Sequence, residues 1–319
     1  MNANLRNGLI AVVVGLIIWF IPTPAGLKPQ AWHLFAVFTA TILGFILQPL
    51  PIGAVAFIAL GAAALLKVMS PAEILVGFGD VTMWLIVSAF LFAKGFIKTG
   101  LGKRIAYKIM GAIGDSSLKL GYAMVLSDLI IAPATPSNTA RGGGIMYPIV
   151  RSLAAAFGSE PGPSSRKIGA YLMATAFQGN TITSAMFLTS VAPNTLVAAM
   201  AMQTAKVDLN WGTWALAAVV PGLIAIAVVP YLMYKLYPPE IDKTPEAKEI
   251  AAAELAKMGP MSFGEKVVAF VFVLALVLWA TSGYTKLNAT VVAVVCVGLM
   301  LLGQAIEWKD VLEEKGAWD

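Results

Sequence analysis

Apolar residues run through this chain in long blocks rather than in alternation, and the polar residues collect between them. A helix needs about 20 mostly apolar residues to cross roughly 30 Å of hydrocarbon. Eight blocks suit that length: residues 8–26, 31–48, 52–69, 80–98, 168–205, 212–236, 265–282 and 288–306. The block 168–205 is long and interrupted. Its stretch AFQGNTITSAMFLTSVAPNTL puts Gln178, Gly179, Asn180, Thr181, Thr183 and Ser184, then Ser190, Pro193 and Asn194, inside an apolar run, which predicts a discontinuous helix. Between the fourth and fifth blocks, GLGKRIAYKIMGAIG (100–114) sets Lys103, Arg104 and Lys108 beside Ile105, Ile109 and Met110, the pattern of an interfacial amphipathic helix.

One polar stretch breaks the scheme. ATPSNTARGGG (134–144) lies between the apolar arms GYAMVLSDLIIA (121–132) and IMYPIVRSLAAAF (145–157). An arm of about 13 residues reaches about 20 Å at 1.5 Å per residue, too short to cross. Two such arms joined by a Pro, Asn and Gly turn predict a re-entrant helical hairpin over 120–157. Its irregular tip is tolerable in a bilayer only where protein or a water-filled cavity surrounds it. The broken helix is expected to face that tip.

Composition agrees with a polytopic membrane protein. Hydrophobic residues make up 59% of the chain and charged residues 12%, with a mean hydropathy of +0.81, so no polar shell can cover it. The excess of 22 Lys and Arg over 17 Asp and Glu therefore bears on orientation rather than on nucleic acid. With the amino terminus inside, the outer loops hold only Lys28, Lys67, Lys206 and Lys286. Lys94, near the inner end of the fourth block, and Arg141, in the polar stretch 134–144, are left uncounted, and the other sixteen basic residues fall on inner loops, which favours that orientation. The opening run MNANLRNGLIAVVVGLIIWFIP lacks a small-residue cleavage site and is read as a retained first helix. Cys296 stands alone, which excludes an internal disulfide or a cysteine metal cluster. The segment 237–266 is the only sizeable polar piece, with EIAAAELAKM a surface helix.

SPAEILVGFGD (70–80) and WKDVLEEKGA (308–317) share an acidic residue, two aliphatics and a glycine at equal spacing, Glu73, Ile74, Leu75 and Gly79 matching Asp310, Val311, Leu312 and Gly316. This suggests that a second structural repeat begins near residue 308.

At the tip, Ser137, Asn138 and Thr139 offer hydroxyls, a carboxamide and backbone groups at a helix break. These suit a hard cation or, through amides and helix ends, an anion; the alternative is a capped turn. Gly142, Gly143 and Gly144 allow either close ligand approach or tight packing. Arg141 has two readings, pairing with a substrate carboxylate or with Asp128. Asp128, a carboxylate inside an apolar arm, is correspondingly either functional or half of a structural ion pair. His33 reads as interfacial. There is no phosphate loop, no HExxH and no nucleophile with a base, so an enzyme is not expected.

PSNTARGGGIMYPIVRSL, the break ending SVAPN and the linker KTPEAKEIAAAELAKMGPMS resemble the divalent anion:sodium symporter family. They are most similar to the bacterial citrate, tartrate and succinate exchangers and the plastid 2-oxoglutarate/malate translocators. The resemblance implies an all-α polytopic membrane protein of about eight spans plus one re-entrant hairpin, the amino-terminal part of an inverted-repeat transporter. It also implies a homodimer in the inner (cell) membrane, cytoplasmic amino terminus, and alternating access by a transport domain moving against a scaffold. The expected divisions are scaffold helices (1–69), a first repeat (70–236) with hairpin 120–157 and broken helix 168–205, a cytoplasmic linker (237–264), scaffold-like helices (265–306) and a truncated second repeat (307–319). Carried over by match, Ser137, Asn138 and Thr139 would bind substrate. Thr183, Ser184, Pro193 and Asn194 would face them, and sodium is a candidate ligand at Ser137 and Asn138. The implied function is exchange of small di- or tricarboxylates (citrate, succinate, malate, tartrate or 2-oxoglutarate) with no cofactor beyond sodium. Pro133 stands where sodium-coupled relatives offer a serine, which favours exchange. Sodium-coupled symport is the alternative, and a non-transporting fragment or subunit the third reading.

Overall fold

The structure, a computed structural model, describes residues 2–318, and every regular element among them is helical. The chain divides into two compact units, one up to Met83 and one from Trp84 to Ala317.

The first unit comprises α1 (Ala3–Phe20), α2 (Pro29–Leu47), α3 (Ile52–Leu65) and the short α4 (Pro71–Leu75). Prolines set three of the starts, Pro29 and Pro71 in the first turns of α2 and α4 and Pro51 as the cap of α3, where a missing N–H costs nothing. α1 packs on α2 and α2 on α3 through small residues. A Cβ added at Gly15 would lie 2.8 Å from Ala40 Cβ, and one at Gly44 2.7 Å from Val55 Cγ1. Such contacts replace the hydrophobic drive that lipid does not supply. His33 stacks on Trp19 with ring centroids 4.0 Å apart.

The second unit runs through α5 (Val81–Thr99), α6 (Leu101–Ile113), α7 (Ser117–Ile131), α8 (Tyr147–Ala156), α9 (Gly169–Met186), α10 (Ala192–Ala205), α11 (Trp211–Leu236), α12 (Glu246–Met258), α13 (Phe263–Ala280), α14 (Ser282–Thr285), α15 (Ala289–Leu302) and α16 (Trp308–Glu313). α7 lies between α6 and α9, α9 packs on α11 and α8, α12 on α6, and α13 on α15. The amphipathic α6 buries Leu101, Ala106, Tyr107 and Met110 and leaves Lys103 and Lys108 exposed. Arg104 turns inward instead: its Nε donates to Glu265 Oε1 at 2.5 Å and its Nη1 to Gly259 O at 2.9 Å, tying α6 to the start of α13.

Among the described residues, six helices are long and apolar enough to cross a membrane: Ala3–Phe20, Pro29–Leu47, Val81–Thr99, Ser117–Ala134, Trp211–Leu236 and Phe263–Ala280. The difference from the expected eight has physical causes. The blocks 52–69 and 288–306 form helices of only 14 residues, α3 ending before Lys67 at φ 56° and α15 before Gln304 at φ 53°. The block 168–205 is split, and the polar residues of α9 hold down its hydropathy. Conversely the first arm, read as too short, extends back to Ser117, where Ser116 caps the helix by accepting from Lys119 N. It gives 18 continuous residues through Ala134.

The polar linker is tied down along its length. Thr244 N donates to Asp115 O and Ser117 N to Asp242 O, and Ser117 Oγ donates to Ile241 O. The two similar segments share a local motif. Glu73 reaches back to Ser70 N at 2.7 Å, and Asp310 reaches back to Glu307 N at 2.7 Å, each acid closing the first turn of a short helix.

Candidate functional site

Two irregular segments meet in the second unit. In the first, α7 passes into a tight turn at Ala132–Ala134, then an extended Thr135–Ser137, then a widened π-helical run over Ala140–Met146 that continues as α8. Such π turns gather at functional sites. In the second, residues 187–191 separate α9 from α10.

Cross-links between them come from backbone groups that the breaks set free. Ala192 N donates to Pro136 O at 3.1 Å and Thr189 Oγ1 to Pro133 O at 2.5 Å. Trp211 Nε1 in turn donates to Thr189 Oγ1 at 3.0 Å. The carbonyls of Ser184 and Phe187 are each met by Ser190 Oγ at 2.7 Å and by Asn194 Nδ2 at 2.7 and 2.9 Å. Buried backbone acceptors need such partners, because leaving one unmet costs about 1–3 kcal/mol.

At the centre lies a buried ion pair, Arg141 with no exposure and Asp128 with 2%. Arg141 Nε donates to Asp128 Oδ1 at 3.1 Å, Nη1 to Thr135 O at 2.5 Å and Ser190 O at 2.7 Å, and Nη2 to Ser184 Oγ at 2.7 Å. Asp128 also accepts from Asn180 Nδ2 at 3.1 Å and from Thr183 Oγ1. Of the two readings of Arg141, the geometry selects the internal one.

α7 and α9 come close enough for this network because glycine stands at their contact. A Cβ at Gly179 would meet Val125 Cγ2 at 2.5 Å, and one at Gly121 would meet the Tyr171 hydroxyl at 2.2 Å. The Gly142–Gly144 run differs: a Cβ at Gly143 would meet nothing within 4 Å.

The expected site residues therefore divide. Ser137 is half-buried, and Asn138 and Thr139 are exposed. Ser137 Oγ accepts from Ala140 N at 3.1 Å and Asn138 Oδ1 from Thr139 N at 2.8 Å, so each has local capping work and a lone pair to spare. Pro193 is exposed and Asn194 half-buried, its amide nitrogen engaged by the break. Thr183 and Ser184 are buried and bound to Asp128 and Arg141. Thr135 was not anticipated. It is fully buried, its hydroxyl has no partner, and it sits one residue before Pro136; a lone hydroxyl at the end of an apolar arm was the available signal. Among the described residues, no group of three or more His, Cys, Asp or Glu could hold a metal ion.

A multi-pass helical membrane protein whose two interior breaks are pinned together around a buried ion pair is, in architecture, of the secondary-transporter kind. Comparison with known proteins specifies it. The sodium:sulfate symporter transmembrane region family matches residues 2–319, and the chain belongs to that family. It is 54% identical to the "Putative malate transporter YflS" of Bacillus subtilis (strain 168), over 98% of this chain and 65% of that protein. It is 46% identical to "Dicarboxylate transporter 1, chloroplastic" of Spinacia oleracea, over 100% of this chain and 56% of that one. It is 39% identical to the "L-tartrate/succinate antiporter" of Escherichia coli O6:K15:H31 (strain 536 / UPEC), over 98% and 68%. The chain thus spans between about half and about two thirds of these relatives' length.

Proposed function

We propose that the chain carries one half-site of a secondary transporter for small dicarboxylates, and that the Ser137–Thr139 tip, opposed by Pro193 and Asn194, receives a substrate carboxylate. The observation that carries this reading is the division of labour at the tip. Arg141, the only charged residue of 134–144, is consumed internally, whereas Asn138 and Thr139 stand exposed with polar atoms uncommitted to the interior. A carboxylate would be held by neutral hydroxyl, amide and backbone donors. Malate, tartrate and succinate, in the names of the relatives, share two carboxylates on a four-carbon chain. In this reading 120–157 is a re-entrant hairpin entering from the amino-terminal, cytoplasmic side. The matched turns at Glu73 and Asp310 mark the starts of two repeats, and the transporter works as a homodimer.

Exchange is the favoured mode, supported by Pro133 in place of a serine ligand and by the antiporter among the relatives. Sodium coupling is the second reading, supported by the family's description and by the unpartnered Thr135 hydroxyl beside the tip. The test joins the chain to the part of the Bacillus relative outside the match and measures labelled succinate uptake into malate-loaded proteoliposomes. Exchange without sodium is expected, and Asn138→Ala should abolish it at unchanged membrane expression. Normal uptake by that variant would remove the tip from the site, and strict sodium dependence would select symport. For orientation, a cysteine at the exposed Ala253 should react with impermeant maleimide only in opened cells.

A further inference from the structure

We propose that Asp128 and Arg141 are positioning residues: their ion pair fixes the Ser137–Thr139 tip against the Ser190–Asn194 break, so that two separate segments present one constant geometry to a ligand. The ligand's identity rests on the carboxylate reading above; the clamp itself does not.

Donor accounting supports the assignment. A guanidinium has five N–H groups in a rigid fork. Here four bonds run to Asp128 on α7, Thr135 before the tip, Ser190 in the break and Ser184 on α9. A substrate carboxylate taken bidentately needs two parallel donors, and only one N–H, on Nη2, is left over, so Arg141 could supply them only by giving up one of these bonds. Its charge therefore acts within the protein.

Stability alone is a poor reason for the pair, because a well-packed apolar pair of similar volume commonly serves as well or better. An apolar pair cannot gather carbonyls. Thr135 O and Ser190 O both lie outside the helices, and the single nitrogen Nη1 bonds both, which holds tip and break in register. Asp128 orients the guanidinium and is itself oriented by Asn180 and Thr183. The bonds from Ala192 N to Pro136 O and from Thr189 Oγ1 to Pro133 O lie along the same seam and depend on its closure.

The decisive variant is the neutral double, Asp128→Asn with Arg141→Met, which removes the clamp without leaving a buried charge unpaired. Spin labels on Thr139→Cys and Pro193→Cys, both at exposed positions, report tip-to-break spacing by dipolar broadening in the purified chain in nanodiscs. Wild-type pairing should give one well-defined broadening. The double variant should keep helicity and elution volume yet lose that broadening, and in the unlabelled chimera it should raise the KM for succinate at least tenfold with a much smaller change in maximal rate. If the double variant does not fold, Arg141→Lys gives the reading: it retains the charge but cannot reach both carbonyls and Ser184, so it should broaden the spacing and raise KM. Unchanged spacing and unchanged KM in the folded double variant, or in the lysine variant if the double does not fold, would overturn the proposal. A wild-type chimera with no succinate transport but well-defined label spacing, lost in the variant, would count against the carboxylate reading and leave the clamp standing.

Discussion

Arg104 and Arg141 are both buried guanidiniums facing a carboxylate, yet they are built for different ends. Arg104 pairs with Glu265 and with the carbonyls of Met258 and Gly259, all within a few residues of one another where the linker enters α13. Glu265 also closes a capping box with Ser262. That arginine staples one chain segment onto α6. Arg141 gathers groups from α7, the tip, α9 and the break, spread over more than fifty residues of sequence from Asp128 to Ser190. The same side chain can thus secure a segment or set the spacing of a site, according to how far apart in sequence its partners lie.

The largest expected effect breaks the inner pair from one side. Asp128→Asn leaves Arg141 charged in the interior and should cost about 3–5 kcal/mol, since an uncompensated buried charge is the main penalty. Thermal unfolding in detergent would measure it. Glu265→Gln should cost less, about 1–3 kcal/mol, because Arg104 keeps some exposure (6%) where Arg141 has none. Equal losses in the two variants would dissolve the contrast.

Next comes the contact that lets the inner clamp close. Gly179→Ala drives a methyl into Val125, whose branched side chain has little rotamer freedom, and should cost about 1–3 kcal/mol. Gly143→Ala, facing open space, should stay within about 0.5 kcal/mol. Ser190→Ala should cost about 1 kcal/mol, because Asn194 still covers the Ser184 and Phe187 carbonyls. A larger loss would show that Ser190 carries the break alone.

The smallest effect belongs to the linker. The hydrogen bond from Lys119, opposed by desolvation and helped by the charges of Lys119 and Lys248, holds the Asp115 carboxyl below its usual range. A depressed folded value means that the contribution is present above the unfolded pKa of about 4 and is lost as pH falls through the folded one. The protection of residues 241–247 against hydrogen exchange, relative to the intrinsic rate at each pH, should be constant from pH 8 to 5 and fall only below about pH 4, since Asp115 helps to anchor this stretch through Thr244. Because Asp115 is exposed, the change should be small and should weaken further in high salt.

Much of this was legible in the chain. Long apolar blocks, the polar tip between two arms and the polar residues inside 168–205 follow from local pattern, as does the amphipathic α6. Helix length was not: whether 52–69 forms 18 residues of helix or 14 depends on where a left-handed residue such as Lys67 ends it, and apolarity says nothing of that. Nor could pattern separate exposed Asn138 from buried Ser184, both being small polar residues at a helix break.

The sequence by itself determined that this is a helical membrane protein with two polar interruptions, because the need to satisfy backbone groups in lipid leaves few other structures for so apolar a chain. Only the tertiary structure decided which polar groups are spent and which remain. Arg141 is consumed because Thr135, Ser184 and Ser190 converge on it with Asp128, and that convergence depends on α7 and α9 meeting at Gly121 and Gly179. Hydrogen bonding is short-ranged, so the fate of a donor is settled by what lies within about 3 Å of it, and that distance is a property of the fold.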